Sequence, residues 1–198
     1  MKSLYLATQN AHKVEELSAL LGDCFHIHSI SELHITEDIP ETGMTLVENS
    51  MQKARFVAER FGVTCLADDS GLEVQALNGA PGVFSARYAG EAKNDQANCA
   101  KLLVEMNGIK NRQARFVTVL TFHENGQFFQ FEGEVAGEII HEMRGQQGFG
   151  YDPLFMPSDE SRTFAEMSLS EKNKIAHRAR ALEKFKLFID ESLLFHDE

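Results

Sequence analysis

Between Ser3 and Ala67 the apolar spacing of the chain alternates repeatedly between two periods, and that alternation leaves few architectures open. Ser3–Thr8 is a short apolar run that predicts a buried strand. Val14, Leu17, Leu20 and Leu21 then recur at helical spacing and predict a helix from Asn10 or Ala11 to Leu21, with Gly22 as its stop. Phe25–Ile30 predicts a second strand. Thr45-Leu46-Val47-Glu48 has capping-box form and opens a helix with Val47, Met51, Ala54, Val57, Ala58 and Phe61 on one side. Gly62 ends it, and Thr64–Ala67 predicts a third strand. Strand, helix, strand, helix, strand in that order implies an α/β core.

The rest of the chain adds an antiparallel portion. Leu72–Leu77 predicts a further strand and Asn94–Met106 a helix. Arg115–His123 and Gln127–Ile140 flank Asn125-Gly126, a strong hairpin signal. In the second of these runs Phe129, Phe131 and Val135 alternate with Gln130, Glu132 and Glu134, so one face should be wet. A glycine-bearing loop, Gly145–Gly150, leads into Tyr151-Asp152-Pro153. Ser168-Leu169-Ser170-Glu171 is another capping box, and Ile175, Ala179, Leu182, Phe185, Ile189 and Leu193 mark a long amphipathic C-terminal helical region. There is no internal repeat, low-complexity tract or charged linker. The expectation is one domain over residues 1–198, α/β, with a mixed sheet, flanking helices and two lobes.

Charge narrows the partners. The formal net charge is −11 with only 19 Lys and Arg, so a long polyanion such as duplex DNA is repelled and no nucleic-acid partner is expected. A small phosphorylated ligand is still allowed, because a few cations and a metal reverse the field locally. Cys24, Cys65 and Cys99 lack CxxC or Cys/His spacing, which argues against a zinc site or disulfide framework. The apolar stretch at the N-terminus is too short for a signal peptide, and no run approaches transmembrane length. A cytoplasmic protein without a membrane partner is expected.

Several segments carry chemistry. Thr64–Ala67 runs into Asp68-Asp69-Ser70-Gly71, read here as a strand that stops in adjacent carboxylates and offers hard oxygen ligands at a sheet edge. A solvated turn is the equal alternative. Thr8-Gln9-Asn10-Ala11-His12-Lys13 lies at a strand-to-helix junction, where unpaired N–H groups suit phosphate, although Asn10 as a simple helix cap with Lys13 as a solvated surface lysine is the simpler account of the segment alone. It is not a Walker loop. Glu48 is occupied by its capping box, which leaves Glu41 as the better second metal-directed carboxylate. Asn49 and Lys53 share a helix face. Glycines on both sides of Phe149 let a planar ligand approach ring and backbone, against the alternative of a buried phenylalanine in a turn. His177 and Arg178 are adjacent and cannot share one helix face, so joint action on one ligand requires the chain to bend or restart a helix there.

Taken in order, these segments resemble the inosine triphosphatase-like family of purine nucleoside triphosphate pyrophosphatases. The resemblance is carried by Leu6–Lys13, Glu41–Ala54, Ala67–Gly90, Gly148–Pro153 and Lys172–Leu182. Within it, Ala-Asp-Asp-Ser-Gly-Leu-Glu-Val followed by Gly-Ala-Pro-Gly-Val-Phe-Ser-Ala-Arg-Tyr-Ala-Gly is highly specific. It implies a homodimer whose long mixed sheet floors a cleft between two lobes. It also implies Mg²⁺-dependent hydrolysis of ITP, dITP and XTP to monophosphate and pyrophosphate. By position, Thr8, Gln9, Asn10, Ala11, His12 and Lys13 would grip the triphosphate. Asp69 would accept a proton and share Mg²⁺ with Glu41, and Ser70 would touch substrate. Phe149, Gly150, Tyr151, Asp152 and Lys172 would hold the nucleotide, while His177 and Arg178 approach the purine edge. Ala176 and Gln9 depart from the family pattern. Two rivals stay open from the residues: a nucleotide-binding protein without turnover, and a phosphatase with an aspartyl nucleophile, whose paired aspartates stand two apart rather than adjacent.

Overall fold

The computed structural model describes residues 1–35 and 37–194, and the side chains of 1–35 and 37–191. Strand β1 (Lys2–Leu6) is followed by α1 (Ala11–Leu21), β2 (Phe25–Ser29) and α2 (Leu46–Phe61). β3 (Cys65–Val74), α3 (Asp95–Glu105), β4 (Gln113–Glu124) and β5 (Gln127–Ile139) come next. β6 (Phe155–Pro157), α4 (Leu169–Ile175) and α5 (His177–Leu194) complete the described elements, with short 3₁₀ turns between some of them. The strands form one mixed sheet in the order β2-β1-β3-β4-β5-β6. β1 lies parallel to β2 and β3, and β5 antiparallel to β6.

The predicted caps hold the helices. Asn10 Oδ1 accepts the backbone N–H groups of His12 and Lys13 at the start of α1. Thr45 Oγ1 accepts Glu48 N–H at 3.1 Å, and Glu48 Oε2 accepts Thr45 N–H at 3.1 Å, closing a reciprocal box on α2. Gly62 closes that helix in the left-handed conformation. Asn125 and Gly126 take φ of 50° and 80°, the positive pair that a two-residue turn between β4 and β5 requires. β6 has three residues, too few to show a period, and is not among the strands expected from the sequence.

One element differs from the sequence reading in a way that matters for function. The strand does not stop at the acidic pair: β3 runs unbroken from Cys65 through Asp68, Asp69, Ser70 and Gly71 to Val74. Gln75–Leu77, expected as strand, is a 3₁₀ turn. Two adjacent carboxylates ordinarily break a buried strand because ionised oxygens need water or partners. Here cations replace water on both faces of the strand, so the ladder continues.

The described residues divide into two compact units: 1–69, 118–133 and 177–194, and 70–117 and 134–176. The first buries Leu4, Leu6, Leu17, Leu21, Phe122 and Phe185 in one cluster and Ala54, Val57, Cys65 and Ala67 in another. The second buries Leu72, Leu102, Phe116, Phe155 and Phe164, with the Phe116 and Phe155 rings edge to face at 4.7 Å. Among the described residues, no helix is long and apolar enough to cross a membrane.

Candidate functional site

The first unit gathers three cations and four carboxylates around the middle of β3. Successive side chains of a strand point to opposite faces, so Asp68 and Asp69 are sorted to different company. Asp68 accepts Arg178 Nε on Oδ2 at 2.7 Å and lies 2.5 Å from Lys13 Nζ through Oδ1. Arg178 also pairs with Glu16, one turn along α1 from Lys13. Asp69 Oδ1 and Glu41 Oε1 each take Lys53 Nζ at 2.7 Å. Asp68 is 0%, Arg178 2%, Lys53 3% and Asp69 7% exposed, so these pairs sit where water cannot screen them.

The two carboxylates titrate apart. Burial alone would push Asp68 up, but Arg178 and Lys13 outweigh it and hold the carboxyl far below the usual range. For Asp69 burial is the dominant influence and wins over the pull of Lys53 and Lys13, with Glu41 adding repulsion, so its carboxyl is raised. Burial would push Lys53 down, and Asp69 with Glu41 outweighs it and leaves the ammonium raised. Arg178, likewise opposed by burial, is raised by Asp68 and Glu16. Adjacent carboxyls are thus driven in opposite directions: cations stabilise Asp68 as an anion, whereas burial resists the ionisation of Asp69.

The strand-to-helix junction borders a pocket. Asn10 serves as the cap, so the N–H groups of His12 and Lys13 are already bonded. Thr8 is buried and its hydroxyl accepts Asn10 N–H at 3.2 Å, while Gln9 Nε2 donates to Glu37 O at 3.2 Å. Thr8, Gln9 and Ala11 line a pocket of about 300 Å³ with Ser29, Ile30 and Ser31. Ala11 and His12 are exposed. His177 and Arg178 open α5 after an extended residue, Ala176, so the expected restart of the helix is present. Both side chains are buried.

A second constellation lies within the other unit. Lys172 Nζ on α4 donates to Asp152 Oδ2 at 2.6 Å and stands 4.9 Å from the Phe149 ring centroid and 5.5 Å from that of Phe164. The same Asp152 oxygen accepts Phe149 N–H at 3.0 Å. Gly148 has no alternative: a Cβ there would come within 2.0 Å of that oxygen. Tyr151 is buried and its hydroxyl donates to Ser85 O at 2.9 Å. Ser70 is half-buried on β3.

The structure therefore brings Lys13, Glu41, Asp69 and Arg178 into one cluster, and Phe149, Asp152 and Lys172 into another. Sequence reasoning did not single out Glu16 or Lys53 as members. The signal for both was a charged residue on the buried stripe of an amphipathic helix, Glu16 beside Leu17 and Lys53 beside Ala54. Two carboxylate oxygens converging on one point of positive charge form a donor set that suits Mg²⁺, which takes one or two carboxylates and completes its shell with water and phosphate. Among the described residues no group of three or more His, Cys, Asp and Glu could hold a metal.

The model of the Ham1 family matches residues 4–188. A dITP/XTP pyrophosphatase of Christiangramia forsetii is 48% identical over 178 residues, 90% of this chain and 94% of that protein. One from Bacillus licheniformis is 46% identical over 196 residues, 97% of this chain and all of the other. The solved structure of the Staphylococcus aureus Ham1 protein superimposes with a TM-score of 0.88 at 40% identity, covering 96% of this chain and 100% of its own.

Proposed function

This chain belongs to the Ham1 family, and on that premise we propose that it hydrolyses ITP, dITP and XTP to the monophosphate and pyrophosphate with Mg²⁺. Such turnover would remove deaminated purines from the nucleotide pool. The observation that carries it is the divided acidic pair: one carboxyl of β3 fixed as an anion by Arg178 and Lys13, its neighbour raised and poised beside Glu41 and Lys53. A nucleotide-binding protein without turnover has no need of a buried carboxyl whose ionisation is resisted beside Glu41 and Lys53. An aspartyl phosphatase uses two aspartates on one face of the chain, whereas Asp68 and Asp69 serve opposite faces of β3.

Bond making and breaking are simple. A water oxygen joins the α-phosphorus, the bridging bond from that phosphorus to the β-phosphate oxygen breaks, and pyrophosphate leaves. Asp69 orients the water and takes its proton. Lys13 offers its ammonium to the phosphates, drawn from Asp68, which Arg178 continues to neutralise. Lys53 keeps Glu41 and Asp69 from repelling each other. Mg²⁺, held by Glu41 and Asp69, would supply charge neutralisation on the phosphate tail. The nucleoside falls to Phe149, whose ring offers a stacking surface, with Asp152 and Lys172 beside it. A donor from His177 or Arg178 toward a 6-keto oxygen favours hypoxanthine and xanthine over adenine. A homodimer in the cytoplasm belongs to the same proposal.

The deciding experiment is a panel of ITP, dITP, XTP, ATP and GTP with products identified and Mg²⁺ withheld in a control. Pyrophosphate released from the first three and little from ATP or GTP is the expected result. Orthophosphate as the product, or equal use of ATP, overturns the reading.

A further inference from the structure

The backbone of Gly150 is held at both its N–H and its C=O, one in each flanking peptide group, by one helix of the same unit. Asp95 Oδ2 accepts Gly150 N–H at 2.7 Å, across 55 residues of chain. The Gly150 carbonyl accepts the Cys99 thiol at 3.3 Å. Asp95 and Cys99 stand four apart on α3, hence on one face and one turn apart. Gly150 has a φ of +61°, and a Cβ built on it meets nothing within 4 Å. Side-chain packing therefore does not define this residue, and the two hydrogen bonds from α3 do. On the other side of the loop, Asp152 accepts Phe149 N–H. Phe149 is thus suspended between two carboxylate anchors, one local and one remote.

A carboxylate in the first turn of a helix has a simpler explanation, the favourable interaction with the helix dipole. That explanation accounts for the charge of Asp95 but not for its hydrogen bond to Gly150, which a neutral acceptor would make as well. Resting on the pyrophosphatase reading above, we propose that Asp95 is a positioning residue for the purine base. Through the Gly150 peptide, with Cys99 as the second tether, it fixes the angle at which the Phe149 ring meets the base.

The test uses binding in the Asp69→Asn background, where nucleotide is not consumed, with dITP and inorganic triphosphate titrated side by side by calorimetry. Inorganic triphosphate has the charge of the ligand and no base. Asp95→Ala should weaken dITP by about tenfold, the scale of one lost hydrogen bond to a charged group, and leave triphosphate unchanged. Asp95→Asn, which keeps an acceptor oxygen and loses the charge, should recover dITP to within about twofold of the parent. Cys99→Ala should move dITP in the same direction by less, and serves as the second variant should Asp95→Ala melt too low to titrate. Equal weakening of both ligands, an Asn variant as weak as the Ala variant, unchanged dITP affinity, or no dITP binding at all each overturn the inference. A chain that binds dITP but releases no pyrophosphate sinks the pyrophosphatase reading and leaves the Asp95 comparison readable. A chain that turns over normally with Asp95→Ala behaving as the parent sinks this inference alone.

Discussion

Asp68 and Asp69 are the same residue one position apart, yet the two faces of β3 give them different work. On one face Asp68 is fully enclosed, shared between Arg178 and Lys13, and its carboxyl is held low. On the other, Asp69 shares the Lys53 ammonium with Glu41, and burial outweighs the pull of Lys53 and Lys13 and leaves its carboxyl raised. Lys13 and Arg178 pair with Asp68, Arg178 also with Glu16, and Lys53 with both Glu41 and Asp69. A strand's two-residue period can thus place two adjacent carboxylates in opposed electrostatic surroundings with no sequence distance between them.

The comparison breaks most sharply under exchange of each carboxylate for its amide. Asp69→Asn keeps the shape and removes the proton acceptor, so turnover of dITP should fall by on the order of 10²–10⁴-fold with the fold intact. Unchanged release of pyrophosphate by that variant would reject the assigned role. Asp68→Asn should act on the other axis. It strips Arg178 and Lys13 of their shared anion, and breaking a buried pair this way costs about 3–5 kcal/mol, read as a lowered denaturation midpoint. If Asp68→Asn loses turnover and keeps its stability, the division of roles is wrong.

Much of this was legible beforehand. Caps at Asn10, Thr45 and Ser168, the stops at Gly22 and Gly62, and the turn at Asn125-Gly126 are local rules obeyed by local residues. Lys13, Glu41 and Asp69 were singled out from residue type and position, and the structure brings them into one cluster. The continuation of β3 through Asp68-Asp69 was not legible, because it depends on partners 55 and 110 residues away for Asp68 and 16 away for Asp69. No window of sequence contains those cations. Asp95 was missed for the same reason: its partner Gly150 lies far along the chain, and an acidic residue in a first turn already has an ordinary explanation.

Glu41 sharpens the reactive side. If it shares Mg²⁺ with Asp69, Glu41→Gln should raise the Mg²⁺ concentration needed for half-maximal turnover by roughly tenfold or more, comparable to other losses in a metal's surroundings. Saturating Mg²⁺ should restore most of the rate. A Mg²⁺ dependence identical to the parent's would remove Glu41 from the metal set and leave it as a partner for Lys53 alone.

The smallest effect is a stability difference whose sign depends on pH. Asp69 has a raised carboxyl in the fold, so the folded state resists its ionisation; the cost is absent at acid pH, where the group is protonated in both states, and develops as pH rises from the ordinary value near 3.9 through the raised one. Asp68 has a depressed carboxyl, so its contribution is present above about 3.9 and is lost only as pH falls below that toward the folded value. Asp69→Asn should therefore be as stable as the parent or slightly more so at pH 7, by less than the Asp68→Asn loss. That advantage should shrink as the solution is taken toward pH 4. Urea midpoints at the two pH values measure it: an Asp69→Asn protein less stable than the parent at pH 7 would show that the Lys53 pair outweighs burial, and that Asp69, like its neighbour, is structural.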